Sequence, residues 1–155
     1  ELLDFLNAHF EEVLLESEGT SMLMININQV KVDFVKMSYP VLFPPLEIEG
    51  VRMLDIRDIA PMKLKAIAQR GSKKDFWDYA LLLDHFQHRE MLSCFSRKYA
   101  VMNRWHAEKS VLYFDDAESD PDPVDLLGLT WEDVKAKIVK QCRSSLAMGA
   151  GQETR

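Results

Sequence analysis

The chain has 155 residues, 47% of them hydrophobic and 28% charged, a composition that is typical of a globular protein with a buried core and excludes wholesale disorder. Its net charge of −6 argues against a protein that coats nucleic acid through its overall field, although six basic and three acidic residues give the stretch 55–75 a local charge of +3. The two cysteines, Cys94 and Cys142, favour a reducing cytoplasm over a disulfide framework or a zinc site. No apolar run reaches membrane-spanning length, and the acidic first residues predict no signal peptide within this chain.

The first 37 residues predict a helix followed by two strands. In residues 1–15 the apolar positions recur at helical spacing, so one helical face carries Leu2, Leu3, Leu6, Phe10, Val13 and Leu14. The segment "SMLMININQVKVDFVKM" is rich in β-branched residues and predicts two strands, with "NINQ" as the turn between them. Asp33 falls in the second strand, on the face opposite to Val32 and Phe34.

Residues 39–56, "YPVLFPPLEIEGVRMLDI", are predicted to be extended, because their three prolines forbid a helix. A short strand is expected at 51–54. Further helices are predicted within 88–105, 106–114 and 130–142. The intervening acidic segment "FDDAESDPDPVD" contains a D-x-D spacing, but its two prolines and the lack of a flanking strand favour a turn over a metal site.

The stretch "DIAPMKLKAIAQRGSKKDFWDYALLLDHF", residues 58–86, predicts two helices joined at Gly71. Asp58 is expected to cap the first helix, since Pro61 fits its first turn. Ser72 is expected to cap the second, with Asp75 three residues further on in a capping-box pattern.

The predicted fold class is therefore α+β, with a small mixed sheet followed by a C-terminal helical bundle. We assign residues 1–54 to the α/β portion, 55–146 to the helical portion and 147–155 to a flexible tail.

Charged residues crowd the predicted joint between the two helices. Lys63 and Arg70 fall on one side of the first helix, about 10 Å apart along its axis, where they can line a groove or simply extend from the edge of a core face. Asp75 points along the apolar line of the second helix, so its carboxylate requires a basic partner such as Arg70 or Lys63, or a role in capping. Asp78 lies on the flank, where an ordinary solvated charge is the simplest interpretation.

Asp33 is unusual because an acidic residue in the middle of a β-branched strand lowers the propensity for strand formation. Two explanations remain open, an exposed face of the sheet and a metal ligand.

Three segments resemble the AbiEii/AbiGii-type nucleotidyltransferase toxins of the polymerase-β-like nucleotidyltransferase superfamily. They are "VKVDFVKM", "EGVRMLDIRDIAPMKLKAIAQRGSKKDFWDYALLL" and, more loosely, "SVLYFDDAESDPDP", within about residues 20–125. The most specific part is an Arg, a step of five residues, and an (Arg/Lys)-Asp-x-aromatic-Asp pattern, carried by Arg70, Lys74, Asp75, Trp77 and Asp78. Lys74 stands where the family more often has Arg, and Trp77 where Tyr is frequent.

The resemblance implies transfer of a nucleotide from an NTP to an acceptor, in some members the end of a tRNA, by a bacterial cytoplasmic toxin of a toxin–antitoxin or phage-defence system. Such transfer uses two Mg²⁺ ions held by carboxylates. Asp33 matches the third acid of the family's metal site. Lys63, Arg70 and Lys74 match cations that bind the triphosphate, and Arg70, Lys74, Asp75 and Asp78 form the matching catalytic block. An antitoxin encoded nearby need not bind the protein, and no membrane partner is implied.

One motif of the family does not occur in these residues: a Gly-Ser turn followed by a strand-borne D-x-D, which lies just before a helix like the one that opens this chain. Either that part precedes residue 1 or this is a degenerate member, and the chain by itself is expected to be unable to hold the two-metal site. Two hypotheses stay open, a nucleotidyltransferase toxin and a non-catalytic module that binds a nucleotide, RNA or a partner protein.

Overall fold

The computed structural model describes the backbone of residues 1–124 and 126–150 and the side chains of residues 1–124 and 126–144. The chain forms two compact units, one covering Glu1–Pro40 and the other beginning at Val41. Helices and small sheets follow one another in an α+β arrangement, which confirms the predicted class. Both sheets are antiparallel, where a mixed sheet was expected.

The first unit consists of α1 (Leu2–His9) and a three-stranded sheet, β1 (Val13–Glu18), β2 (Met22–Ile27) and β3 (Val30–Val35), in the order β1-β2-β3. The predicted turn is confirmed. Asn28 and Gln29 both have positive φ, at 48° and 68°, which is the geometry that joins two twisted strands through two residues. A small core of Leu6, Ile25 and Ile27 lies between α1 and the sheet.

The helix predicted over residues 1–15 is too long. Phe10 adopts an extended conformation after α1, and the next apolar residues belong to β1, where Val13 pairs with Ile27 and Leu15 with Ile25. A short apolar run is compatible with either a helix or a strand, and pairing with the distant β2 decides between them here.

The second unit begins with a hairpin, β4 (Leu46–Ile48) and β5 (Val51–Met53), turning through Glu49 and Gly50, which both have positive φ. Its helices are α2 (Ile56–Gln69), α3 (Lys73–Leu82), α4 (His88–Lys98), α5 (Arg104–Ser110) and α6 (Trp131–Ala150). The acidic loop between α5 and α6 contains a 3₁₀ turn at Asp115–Ala117. Of the predicted tail 147–155, residues up to Ala150 continue α6, and 151–155 lie outside the described residues.

The main core lies in the second unit, where α2 packs against α3, α4 and α5, and α3 packs against α6. Aromatic side chains fill its centre: Phe76, Trp77, Tyr79, Phe95 and Trp131. Trp77 and Trp131 stack with their ring centroids 5.7 Å apart. Within the described residues no helix is apolar over the length that a lipid bilayer would require.

The start of α2 differs from the prediction. Its N-cap is Asp55, whose carboxylate accepts a hydrogen bond of 2.8 Å from the backbone N–H of Arg57, and not Asp58. Asp58 lies one turn further in and is fully buried. Gly71, at φ 54°, separates α2 from α3, as expected of a glycine after a helix end.

Candidate functional site

The turn at Gly71 places Arg70, the C-cap residue of α2, beside the first turn of α3. The guanidinium of Arg70 donates two hydrogen bonds to Asp75, from Nε to Oδ2 at 2.7 Å and from an Nη to Oδ1 at 2.8 Å. The Ser72 hydroxyl donates a third bond, to Oδ2 of Asp75 at 2.6 Å. Ser72 is the N-cap residue of α3, but its hydroxyl is used by Asp75 and makes no capping bond. The predicted pairing of Asp75 with a basic residue is confirmed.

Asp75 is fully buried, whereas the Arg70 side chain is 56% exposed. Burial by itself would raise the pKa of Asp75, but the hydrogen bonds from Arg70 and Ser72 outweigh it, and the pKa is lowered overall. The hydrogen bonds that Arg70 donates to Asp75 raise the pKa of Arg70. Asp75 is therefore a fixed anion that orients the guanidinium of a side chain that is itself more than half exposed.

Lys63 and Asp78 extend this arrangement along the helical hairpin that α2 and α3 form. The Lys63 ammonium lies 3.9 Å from Oδ1 of Asp75 and makes a closer ion pair with Oδ2 of Asp78. Charges of opposite sign thus alternate in the order Arg70, Asp75, Lys63 and Asp78. Lys74, next to Asp75 in sequence, is exposed, and its ammonium makes no ion pair with the described residues.

A cavity of about 400 Å³ opens beside the Lys63–Asp78 pair. Its walls are largely aliphatic and come from the first half of α2 and the end of α3: Ile56, Ile59, Leu81 and Leu82. His85 completes the lining just after α3. The helical hairpin of α2 and α3 therefore presents basic side chains near the turn at Gly71 and a largely apolar cavity at its opposite end.

Asp33, the remaining sequence-predicted site residue, belongs to the first unit. Its side chain is exposed on β3, opposite Met24 of β2. Among the described residues no group of three or more His, Cys, Asp or Glu side chains could hold a metal ion. Asp33 would be a single ligand, so these residues do not by themselves fit the two-metal centre, and we derive no step through a metal here.

Two charged clusters were not predicted from the sequence. The Lys98 ammonium lies 2.6 Å from Oδ1 of Asp58, with both side chains fully buried, and the same carboxylate accepts backbone N–H groups from Leu42 and Phe43. Burial opposes ionisation of Asp58, yet these donors lower its pKa overall. The sequence feature that could have predicted this pair is Lys98, a lysine on the otherwise apolar face of α4.

The acidic loop supplies the second cluster. Lys73 is buried, its ammonium lies 2.9 Å from Oδ1 of Asp122, and its backbone N–H donates to Asp120. This loop is therefore attached to the N-terminus of α3. The arrangement agrees with the interpretation of the segment as a turn.

The fold and the hairpin together define an α+β protein with a surface that presents oriented cations beside an apolar cavity. The family described as nucleotidyl transferase AbiEii toxin, Type IV TA system, matches residues 6–144. The chain belongs to this family, as its motifs indicated.

An uncharacterized protein from Aquifex aeolicus (strain VF5) is 35% identical over 111 residues, which are 69% of this chain and 53% of the relative. The chain thus spans about half the length of that curated relative. Among solved structures, JHP933 from Helicobacter pylori is similar with a TM-score of 0.38 and 15% identity, over 90% of this chain and 70% of that one.

Proposed function

We propose that this chain carries the triphosphate-binding surface of a nucleotidyltransferase toxin, which transfers a nucleotide from an NTP to an acceptor. The observation that supports this most directly is the bidentate pair between Arg70 and Asp75. It fixes the guanidinium of a side chain that is more than half exposed, at the turn between α2 and α3. Membership of the AbiEii family supports the reaction class.

The donors at this joint suit a polyanion. A guanidinium has five N–H donors, and Asp75 engages two of them, so three remain for phosphate oxygens. Lys74 adds an exposed ammonium one residue before Asp75. A guanidinium whose orientation is already fixed by a buried carboxylate loses less conformational freedom when it binds phosphate.

The further elements of the proposal rest on the family resemblance. They are an RNA acceptor such as the end of a tRNA, Mg²⁺ as the divalent ion, a cytoplasmic location, and an antitoxin that acts without binding the toxin. Asp33 would serve as one metal ligand, and Asp75 and Asp78 would order the cations of the catalytic block. The chemical step needs carboxylates beyond those described here.

A second function is favoured by one observation, namely that the described carboxylates do not converge on a metal site. On this alternative the chain is a non-catalytic module that binds a nucleotide, RNA or a partner protein. An assay of nucleotide transfer from a labelled NTP, made with the longest protein that the gene encodes, separates the two, because only the toxin would consume NTP.

Binding of an NTP to the 155-residue chain tests the step that a nucleotidyltransferase toxin and a nucleotide-binding module would have in common. We expect an affinity near millimolar, about −4 kcal/mol, that weakens with salt because exposed phosphate contacts are screened. NMR shift mapping with GTP at low and high salt should show changes at residues 63–78. Shifts confined to the loop at 115–122 would contradict the proposal.

Variants make the test specific. Arg70→Ala should weaken binding most, but it also leaves the buried Asp75 carboxylate without its main partner. Lys74→Ala avoids this problem, since Lys74 is exposed, and it should weaken binding severalfold with no change in melting temperature. Arg89→Ala, which removes an exposed arginine from α4, is the matched control and should leave binding unchanged.

A further inference from the structure

The helical hairpin changes character along its length. Arg70 stands at the joint, Lys63 lies seven residues earlier on α2, and Ile56 lies seven residues earlier again. Each interval corresponds to about 10 Å along the helix axis, at about 1.5 Å per residue. Basic side chains, Lys63 and Arg70, therefore bound the first interval, and the aliphatic side chains Ile56 and Ile59 line the cavity along the second.

The apolar end is an open cavity, and not a filled core. Its volume of about 400 Å³ lies within the range of about 300–1,000 Å³ that is usual for small-molecule sites. Ile59, Leu81 and Leu82 form aliphatic walls, and the Lys63–Asp78 pair stands at one side. His85 and the Asp78 carboxylate supply hydrogen-bonding groups within an otherwise hydrophobic lining.

We propose that this cavity binds the nucleobase of the NTP whose triphosphate lies along Lys63 and Arg70. This assignment rests on the proposed function and adds an orientation, with the base toward the start of α2 and the phosphates toward Gly71. An NTP has the matching asymmetry, because a flexible polyanion is joined to a planar ring that is largely apolar on its faces. Ring N–H groups would find acceptors in Asp78 and His85, while aliphatic side chains cover the faces of the ring.

Comparison of two kinds of ligand separates binding of the base from binding of the phosphates. Inorganic tripolyphosphate carries the anion without the base, and GTP, ATP, CTP and UTP carry both. We expect at least one NTP to bind the 155-residue chain about tenfold more tightly than tripolyphosphate. Upfield ring-current shifts of the Ile56, Ile59 and Leu81 methyl signals should accompany that NTP and be absent with tripolyphosphate.

A matched pair of variants tests the location. Ile56 lines the cavity and is 40% exposed, so Ile56→Ser should leave the fold intact. It should lower NTP affinity to that of tripolyphosphate and leave tripolyphosphate binding unchanged. Ile48→Ser replaces an isoleucine that is 51% exposed on β4 and should alter neither affinity. Melting curves of both variants check that the fold is kept.

The outcomes distinguish this inference from the proposed function. If NTPs and tripolyphosphate bind equally and Ile56→Ser changes neither, phosphate binding stands and the base site is overturned. If Ile56→Ser weakens the binding of NTP and of tripolyphosphate alike, the cavity stabilises the positions of Lys63 and Arg70 and does not hold a base. That result also overturns the inference. If neither ligand binds, the proposed function fails and the base site fails with it.

Discussion

Arg70 and Asp75 join α2 to α3 through two parallel hydrogen bonds across Gly71, and the Asp75 side chain is fully buried while the Arg70 side chain is more than half exposed. The relationship is local in sequence, since five residues separate the partners. Gly71 permits it by adopting a φ of 54°, which is unfavourable for residues with a Cβ. Stability and the proposed phosphate contact therefore depend on the same pair.

Replacement of Asp75 should destabilise the protein. We expect Asp75→Ala to lower the free energy of unfolding by about 1.5–3 kcal/mol, because hydrogen bonds to a charged group are lost and Arg70 remains without its main partner. Urea unfolding measures the change. Asp84→Ala removes an exposed carboxylate that pairs with Lys137 and should cost less than about 1 kcal/mol. Equal losses in the two variants would contradict the structural role of Asp75.

The buried Asp58–Lys98 pair should show strong coupling. Lys98→Met leaves the Asp58 carboxylate buried without its cation and should cost about 3–5 kcal/mol. Asp58→Asn combined with Lys98→Met should recover part of that loss, since no uncompensated charge remains. Thermal or urea unfolding of both single variants and the double variant gives the coupling energy. Additive effects would show that the two side chains do not interact as the 2.6 Å contact indicates.

Hydrogen exchange provides an independent measurement of the same cluster. The amides of Leu42 and Phe43 donate to the Asp58 carboxylate at 2.9–3.1 Å. In Asp58→Ala these amides lose their acceptor and should exchange faster than in the unmodified chain. Unchanged protection at both positions would argue against this anchoring.

Asp33 tests the metal assignment. In a preparation with measurable nucleotide transfer, Asp33→Ala should abolish activity and barely change the melting temperature, because the side chain is exposed on β3. Lys31→Ala, on the same strand, is also exposed and is the control for damage to the sheet. Full transfer activity in Asp33→Ala would remove Asp33 from the site.

The buried His88 should make stability depend on pH. Its Nδ1 lies 2.6 Å from the Tyr79 hydroxyl, and burial lowers the pKa of His88, with Glu108 opposing and Arg104 reinforcing that shift. An unfolded histidine has a pKa of about 6.5. Below that pH the unfolded chain binds the proton first, so stability should fall as the pH drops toward the lowered pKa of the folded protein.

Melting temperatures at pH 7.5 and 5.5 measure this effect. The decrease between the two should be smaller in His88→Asn than in His85→Asn, because His85 is exposed. An identical decrease in melting temperature in the two variants would show that His88 does not contribute to the pH dependence of stability.

The sequence alone determined the local features of this protein. Helical periodicity placed Asp75 on a buried line, so that its need for a basic partner followed from the cost of burying a lone carboxylate. Gly71 and the "NINQ" turn were readable because both depend on the conformational preferences of a few adjacent residues. The motif around Arg70, Lys74, Asp75 and Asp78 indicated the family.

Tertiary structure decided the features that depend on distant partners. Lys98 meets Asp58 across 40 residues of sequence, and without that partner Asp58 resembled a helix cap. The residues Val13–Leu15 became a strand because β2 offered backbone pairing that helical periodicity cannot reveal. The apolar cavity likewise exists only because α2 and α3 run side by side, which brings Ile56 and Ile59 opposite Leu81 and Leu82. Local periodicity specifies which face of an element is apolar, but only packing specifies what that face meets.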